Sequence, residues 1–271
     1  MATVPPLIAC SRMYNVGPKV RGLWDDLFAW LSEESGIQLE VIAHAAPAPL
    51  SELWARPDLG ATFMCGYPFS LLSADERPVA LAAPVSTAPW ADGRPLYASH
   101  IVAARDATFD PADLPALRWG WTVRDSQSGY HAPRAFLAGL PRPKSPVTAI
   151  GPLLNPNGVV DAIATGRIDV GAIDAYAWQL LETHEPEALA PLRIIATTQV
   201  TPVPLLVASR RQPAETVSIL RRALLRAHHD DRGRRILASL GLSQFATPDV
   251  AAYDSLPKRA QDSDRLLAAS W

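Results

Sequence analysis

Residues 7–43 read LIACSRMYNVGPKVRGLWDDLFAWLSEESGIQLEVIA, and this stretch decides the fold. Leu7 to Cys10 is a short, wholly apolar run that reads as a buried strand. The turn Ser11 to Gly17 follows, and Pro18 stands where a first helical residue belongs, because its missing N–H has no partner there anyway. Val20, Leu23, Trp24, Leu27, Phe28 and Leu31 then recur at helical spacing, and Gly36 stops the stripe. Leu39 to Ala43 is a second strand. Strand, helix, strand within one short segment predicts a mostly parallel sheet covered by helices.

The same alternation runs outward. Leu50 to Ala55 reads as a short helix and Ala61 to Cys65 as a third strand. Tyr97 to Ala104 reads as a long strand leaving this first series. A second series follows: strand Arg118 to Val123, helix Ser128 to Leu140, strand Val147 to Ile150 and helix Pro156 to Thr165. It ends with strand Ile168 to Ile173, helix Ala175 to Glu182 and strand Leu192 to Thr197. Thr201 to Ala208 is extended and leads into helices Ala214 to Ala227 and Arg232 to Leu240. The simplest arrangement is an α/β protein of two doubly wound lobes joined by a two-segment hinge, with residues 1–96 and 201–271 in one lobe and 97–200 inserted as the other. Such lobes are expected to close on a ligand by hinge bending. The first and third strands should be neighbours, which brings Cys10 and Cys65 to one end of the sheet.

Composition narrows the function. The chain has 271 residues, 48% hydrophobic and 19% charged, with 25 basic residues set against 27 acidic ones. Its densest basic stretch, Arg221 to Arg235, is broken by Asp230 and Asp231, so no continuous face suits a nucleic-acid backbone. No apolar run approaches the roughly 20 residues of a membrane span, so no membrane insertion is expected. The first ten residues lack a basic, long-apolar secretory signal, which points to the cytoplasm, or to the periplasm if a signal has been removed. Cys10 and Cys65 can make neither a disulfide framework nor a four-ligand zinc site. His228-His229-Asp230-Asp231 reads as a solvated helix end, since adjacent helical residues point apart. Neither a serine-hydrolase elbow nor a phosphate-loop or dinucleotide glycine pattern is present. No cofactor or metal is expected.

In open parallel sheets, ligands gather where strands end and helices begin. Those loops hold Tyr14 and Asn15, then Gly66 and Tyr67, then Arg124 to His131, Asn155 to Asn157, and Asp174 to Tyr176. The richest is Asp125-Ser126-Gln127-Ser128-Gly129-Tyr130-His131-Ala132-Pro133. Ser128 is a natural N-cap, and the amides of Gly129, Tyr130 and His131 fall in the first turn, where no intrahelical acceptor exists. Free amides, a positive helix end and two hydroxyls make an anion site; the plain alternative is a capped helix finished by water. Asp174 is either an N-cap or a grip on an amine or hydroxyl of the ligand. Tyr14, Tyr67 and Tyr176 could offer a ring and a hydroxyl or serve as wall, and Trp90 sits in the expected hinge.

Tyr97-x-Ser-x-Ile-Val, then Trp121-Thr-Val-x-x-Ser-Gln-Ser-Gly-Tyr-x-x-Pro, then Gly166-Arg-Ile-Asp-Val-Gly-Ala-Ile-Asp174 resemble the phosphate/phosphonate-type substrate-binding proteins of ABC transporters. The order of these segments is similar to that family from about residue 7 to residue 245. The resemblance implies a type II periplasmic-binding fold, an ABC permease as partner, and a small anionic or polar ligand. It further implies that Ser126, Ser128 and Gly129 hold the oxyanion, with Tyr97 as a further donor. Tyr130, Asn155 and Asp174 complete the expected set, with Tyr14, Tyr67 and Tyr176 around it. Two departures stand out. Gly151-Pro-Leu-Leu-Asn155-Pro-Asn157 lacks the histidine of the family's Gly-Ser-His element, and Pro47-Ala-Pro49 stands where a tyrosine is common. A carboxylate or sulfonate is therefore as open as a phosphonate. Two other readings share the fold: a menaquinone-pathway dehydratase, with Asp174 or His131 as acid/base, and a ligand-sensing module. Thiamine-pyrimidine synthases resemble it too, but two distant cysteines cannot supply their iron motif.

Overall fold

The computed structural model describes residues 5–141 and 147–267. Two compact units emerge. Unit one takes the chain up to Leu96 together with Pro202–Ala252; unit two takes Tyr97–Thr201 and the chain from Tyr253 onward.

Unit one is built on a six-stranded sheet in the order Leu242–Ala246, Val79–Ser86, Leu205–Ala208, Leu59–Met64, Leu7–Cys10, Leu39–Val41. Leu7–Cys10 lies parallel to both Leu39–Val41 and Leu59–Met64, as the opening βαβ pattern requires. The helix Pro18–Ser35 runs between Gly17 in extended backbone and Gly36 at φ 68°, a left-handed cap that suits glycine. Its stripe is buried at Val20, Trp24, Leu27, Phe28 and Leu31, each large side chain contributing about 2 kcal/mol through lost water contact. Trp30 reaches out of the same helix to donate to Asp230 at 2.8 Å. Asp230 also caps the helix Asp231–Ser239, so its carboxylate has a structural duty. Cys10 and Cys65 are both buried and neither forms a disulfide.

Two strands escape the sequence reading, Leu242–Ala246 and Val79–Ser86. Val79–Ser86 is eight residues long and its last six are buried, so it shows no alternation. It also carries Pro84, which pairs in register with Phe245 of an antiparallel neighbour. A continuous apolar run with a central proline argues against a strand by pattern alone. The expectation of a mostly parallel sheet fails here, because three of this sheet's five strand pairings are antiparallel. The strands Leu205–Ala208 and Leu242–Ala246 are both antiparallel to Val79–Ser86.

Unit two carries a five-stranded sheet ordered Leu192–Thr197, Ser99–Ala104, Val170–Asp174, Arg118–Gly120, Thr148–Ile150. The last three are mutually parallel, and Ser99–Ala104 runs antiparallel to its two neighbours. Ile101, Trp119, Tyr130, Leu137, Val170 and Ala172 form its core. The segment after Ala252, which the sequence reading assigns to the first lobe, belongs here instead. Helix Leu256–Leu267 packs against helix Ala132–Ala138, and Asp264 pairs with the buried Arg134 at 2.6 Å. An amphipathic stripe tells that a helix needs a surface, not which surface it covers.

Candidate functional site

The geometry of unit two collects its loops at one edge. Arg118–Gly120, Thr148–Ile150 and Val170–Asp174 are parallel and therefore end on the same side. The antiparallel strand Ser99–Ala104 begins there, because Ser99 pairs in register with Asp174. Tyr97, the turn after Trp121, the loop before Asn155 and Asp174 thus share one end of the sheet.

The turn Gln127–His131 is a single π-helical turn leading into helix Ala132–Ala138. Ser126, not Ser128, is its cap: Ser126 Oγ accepts from the Gly129 amide at 2.9 Å, and the Ser126 carbonyl accepts from the His131 amide at 3.1 Å. This corrects the expectation on two points. The cap lies two residues earlier, and two of the three amides expected to be free are already satisfied within the turn. Pro133 supplies the physical reason. An α-helix begun at Ser128 would need residue 133 to donate to the Gly129 carbonyl, and proline has no donor. That carbonyl accepts instead from the Thr122 amide at 3.1 Å.

Gly129 is required by close approach, since a Cβ there would lie 2.0 Å from Thr122 Oγ1. The Ser128 carbonyl accepts from Ser99 Oγ at 3.0 Å, tying the turn to the sheet edge. Ser128 Oγ itself is half-buried and makes no hydrogen bond among the described residues. A hydroxyl that accepts one bond can still donate another. Both Ser126 and Ser128 therefore keep an O–H that can donate.

The remaining expected residues separate by surroundings. Tyr130 belongs to the core, with its hydroxyl accepting from Arg124 at 3.0 Å and the Arg134 guanidinium 4.9 Å from its ring centre. Asp174 acts as an N-cap, one carboxylate oxygen accepting from the amides of Tyr176 at 2.8 Å and Ala177 at 3.1 Å. Tyr176 is fully buried, and that burial, reinforced by Asp174, drives its ionisation well above the ordinary phenol range. Asn155 caps helix Pro156–Ala164 by accepting from Gly158 at 2.9 Å. Tyr97 is buried beside Ser99. In unit one, Tyr14 is core, stacked on Trp24 and edge-on to Phe63, while Tyr67 is half-buried in helix Gly66–Leu71.

Sequence reasoning passed over Ser99, Thr122 and Arg134. Ser99 stands inside the quoted Tyr97-x-Ser element but was given no role. Arg134 is only 3% exposed, and nothing in its helical spacing marks it as buried. His131 is buried as well, and loss of hydration, then the nearby Arg134, pushes its pKa down to about 4. It is a neutral imidazole near neutral pH.

This fold and its loop edge define a ligand-binding α/β protein of the type II periplasmic class. A model of the phosphonate ABC transporter periplasmic substrate-binding proteins matches residues 17–253, and the chain belongs to that family. A binding-protein component of an ABC phosphonate transporter from Pseudomonas aeruginosa shares its fold at TM-score 0.79 and 20% identity, covering 98% of this chain and 89% of that one. PhnD1 from Prochlorococcus marinus, in complex with methylphosphonate, has TM-score 0.74 and 15% identity, over 96% and 98% of the two chains. An R. palustris protein with adipate has TM-score 0.63 and 17% identity, over 95% and 97%. Against curated protein sequences the chain finds no match. No described helix is long and apolar enough to cross a membrane.

Proposed function

We propose that this chain captures a small anionic or polar solute for an ABC-type permease and does not transform it. The observation that carries the reading is the pair of serines on the π-turn. Ser126 and Ser128 present two O–H donors beside a glycine that lets the backbone close up, at the edge where the strands end. Hydroxyl donors hold an oxyanion without neutralising it, which allows release as well as capture. The ligands bound to two proteins of similar fold, methylphosphonate and adipate, are both small anions, and either oxyanion chemistry suits a pair of hydroxyls. Tyr97 borders the same edge and is the further donor in this reading. Tyr130, Asn155, Asp174 and Tyr176 shape it through the capping and packing described above.

The two groups that a dehydratase reading would use are poorly disposed for acid/base work. His131 is held neutral and buried, and Asp174 has one oxygen engaged by two amides. Titration calorimetry with phosphate, methylphosphonate and adipate tests capture. Mass analysis of each probe after long incubation tests chemistry. Stoichiometric binding with the probe recovered unchanged is the expected result; a converted probe would establish the enzyme instead.

A further inference from the structure

The loop between Ile150 and Asn155 holds an unusual residue. Leu154 is one of three non-glycine residues with positive φ among those described, at 70°, and it is 44% exposed. The Asn155 amide donates to the Leu153 carbonyl at 2.9 Å, which closes a three-residue turn around it. A γ-turn with positive φ at its centre is the rare, strained form, and a bulky side chain there is a genuine outlier. Glycine would remove the strain, and asparagine would reduce it.

The surroundings do not let this backbone relax. The Leu153 amide donates to the Trp121 carbonyl at 2.9 Å and the Leu154 amide to the Thr122 carbonyl at 3.2 Å. Asn155 is fixed as a helix cap, and Gly158 closes against the Leu153 carbonyl, where a Cβ would come within 2.0 Å. Singly exposed leucines are ordinary on protein surfaces. A strained one that glycine would improve is not, and strain of this kind persists where the position has a use.

Its place indicates the use. Thr122 links the two segments: its carbonyl accepts from Leu154, and its amide donates to Gly129 of the serine-bearing turn. Leu154 thus lies two hydrogen-bonded backbone spacings, roughly 10 Å, from the turn proposed to hold the oxyanion. No charged side chain occurs from Gly151 to Asn157.

We propose that Leu154 is a specificity-determining residue that packs against an apolar body carried by the ligand, so that affinity for an anion rises with the length of its alkyl portion. This rests on the proposed seating of the anionic end at Ser126 and Ser128. The test is calorimetry of wild type, Leu154→Gly and Leu154→Asn against three matched series, n-alkyl phosphonates, sulfonates and carboxylates, from methyl to hexyl, with inorganic phosphate as the bare anion. Each buried methylene is worth up to about four-fold in affinity. Wild type should therefore gain at least ten-fold along one series. Leu154→Gly and Leu154→Asn should lose most of that gain, with a melting temperature unchanged or raised because the strain is relieved. If wild type gains with chain length and Leu154→Gly gains equally, the inference is overturned while the anion site stands. If wild type binds members of a series without regard to length, the inference is again overturned. If wild type binds no probe at all, the capture reading falls and the inference with it.

Discussion

Replacing Ser128 by alanine isolates the ligand contact from the fold. Its hydroxyl has no hydrogen bond among the described residues, and its carbonyl, which accepts from Ser99, is untouched by the substitution. The folded state thus loses only a half-buried oxygen, and stability should stay within about 0.5 kcal/mol of wild type. A hydrogen bond to a charged group is worth about 1.5–3 kcal/mol, so the affinity for an anion should fall by about ten- to one-hundred-fold. Ser126→Ala differs in kind, because it removes a donor and also the acceptor that caps Gly129. It should lose a similar factor in affinity and about 1 kcal/mol of stability besides, seen as a fall of about 2–4 °C in melting temperature. Calorimetry and thermal melts on both variants check the pair. Unchanged affinity in Ser128→Ala, measured with a probe that wild type binds, would refute the placement of the anion at this turn.

Gly129→Ala should destabilise the protein and weaken binding together, because its Cβ would collide with Thr122 Oγ1 at 2.0 Å; urea unfolding and calorimetry measure the two effects. Asp264→Ala leaves the buried Arg134 guanidinium without its carboxylate, and the expected cost is about 1–3 kcal/mol, less than for a fully buried pair because Asp264 itself is exposed. Stability should fall as pH drops from about 6.5 to about 4: the unfolded His131 and His100 side chains take up protons near 6.5, whereas burial holds both near 4 in the fold, so the unfolded state binds more protons across that window. His131→Gln should shrink the drop in denaturant midpoint between about pH 7 and pH 4.5. The thiols of Cys10 and Cys65 should resist labelling in the native protein and react fully in denaturant, since both are buried and burial raises the Cys10 thiol above its ordinary range.

Much of the architecture follows from local rules that the sequence displays openly. The Pro18–Ser35 helix has a proline at its first residue, a stripe at helical spacing and a glycine at its end, three independent signals that agree. The parallel pairing of Leu7–Cys10 with its two neighbours follows from the connections. Val79–Ser86 was illegible because burial on both faces erases alternation, and Pro84 mimics a breaker while sitting inside the sheet. The C-terminal helix Leu256–Leu267 went unread, and the surface it docks on is a tertiary fact. Arg134, a charged residue buried beneath Tyr130, shows no sequence signal at all, because its burial depends on a partner 130 residues away.

The site was legible as a location and illegible as a network. Ser-x-Ser-Gly ahead of a proline marks a helix start, yet two serines compete for the cap, and spacing cannot choose between them. Pro133 chooses. By withholding a donor from Gly129 it frees that carbonyl for Thr122, widens the first turn, and moves the cap back to Ser126. The chemistry of the cap then decides what the turn can bind. An Asp174-type cap is accept-only while ionised, so amides that point at one of its oxygens leave it nothing to offer an anion. A serine cap accepts from Gly129 and still carries a proton to donate. The internal hydrogen bond at Ser126 therefore orients the hydroxyl rather than consuming it, and with Ser128 beside it the turn offers donors to an oxyanion. That asymmetry favours capture of a small anion at the serine turn over a cation, with the carboxylate caps left to hold the scaffold.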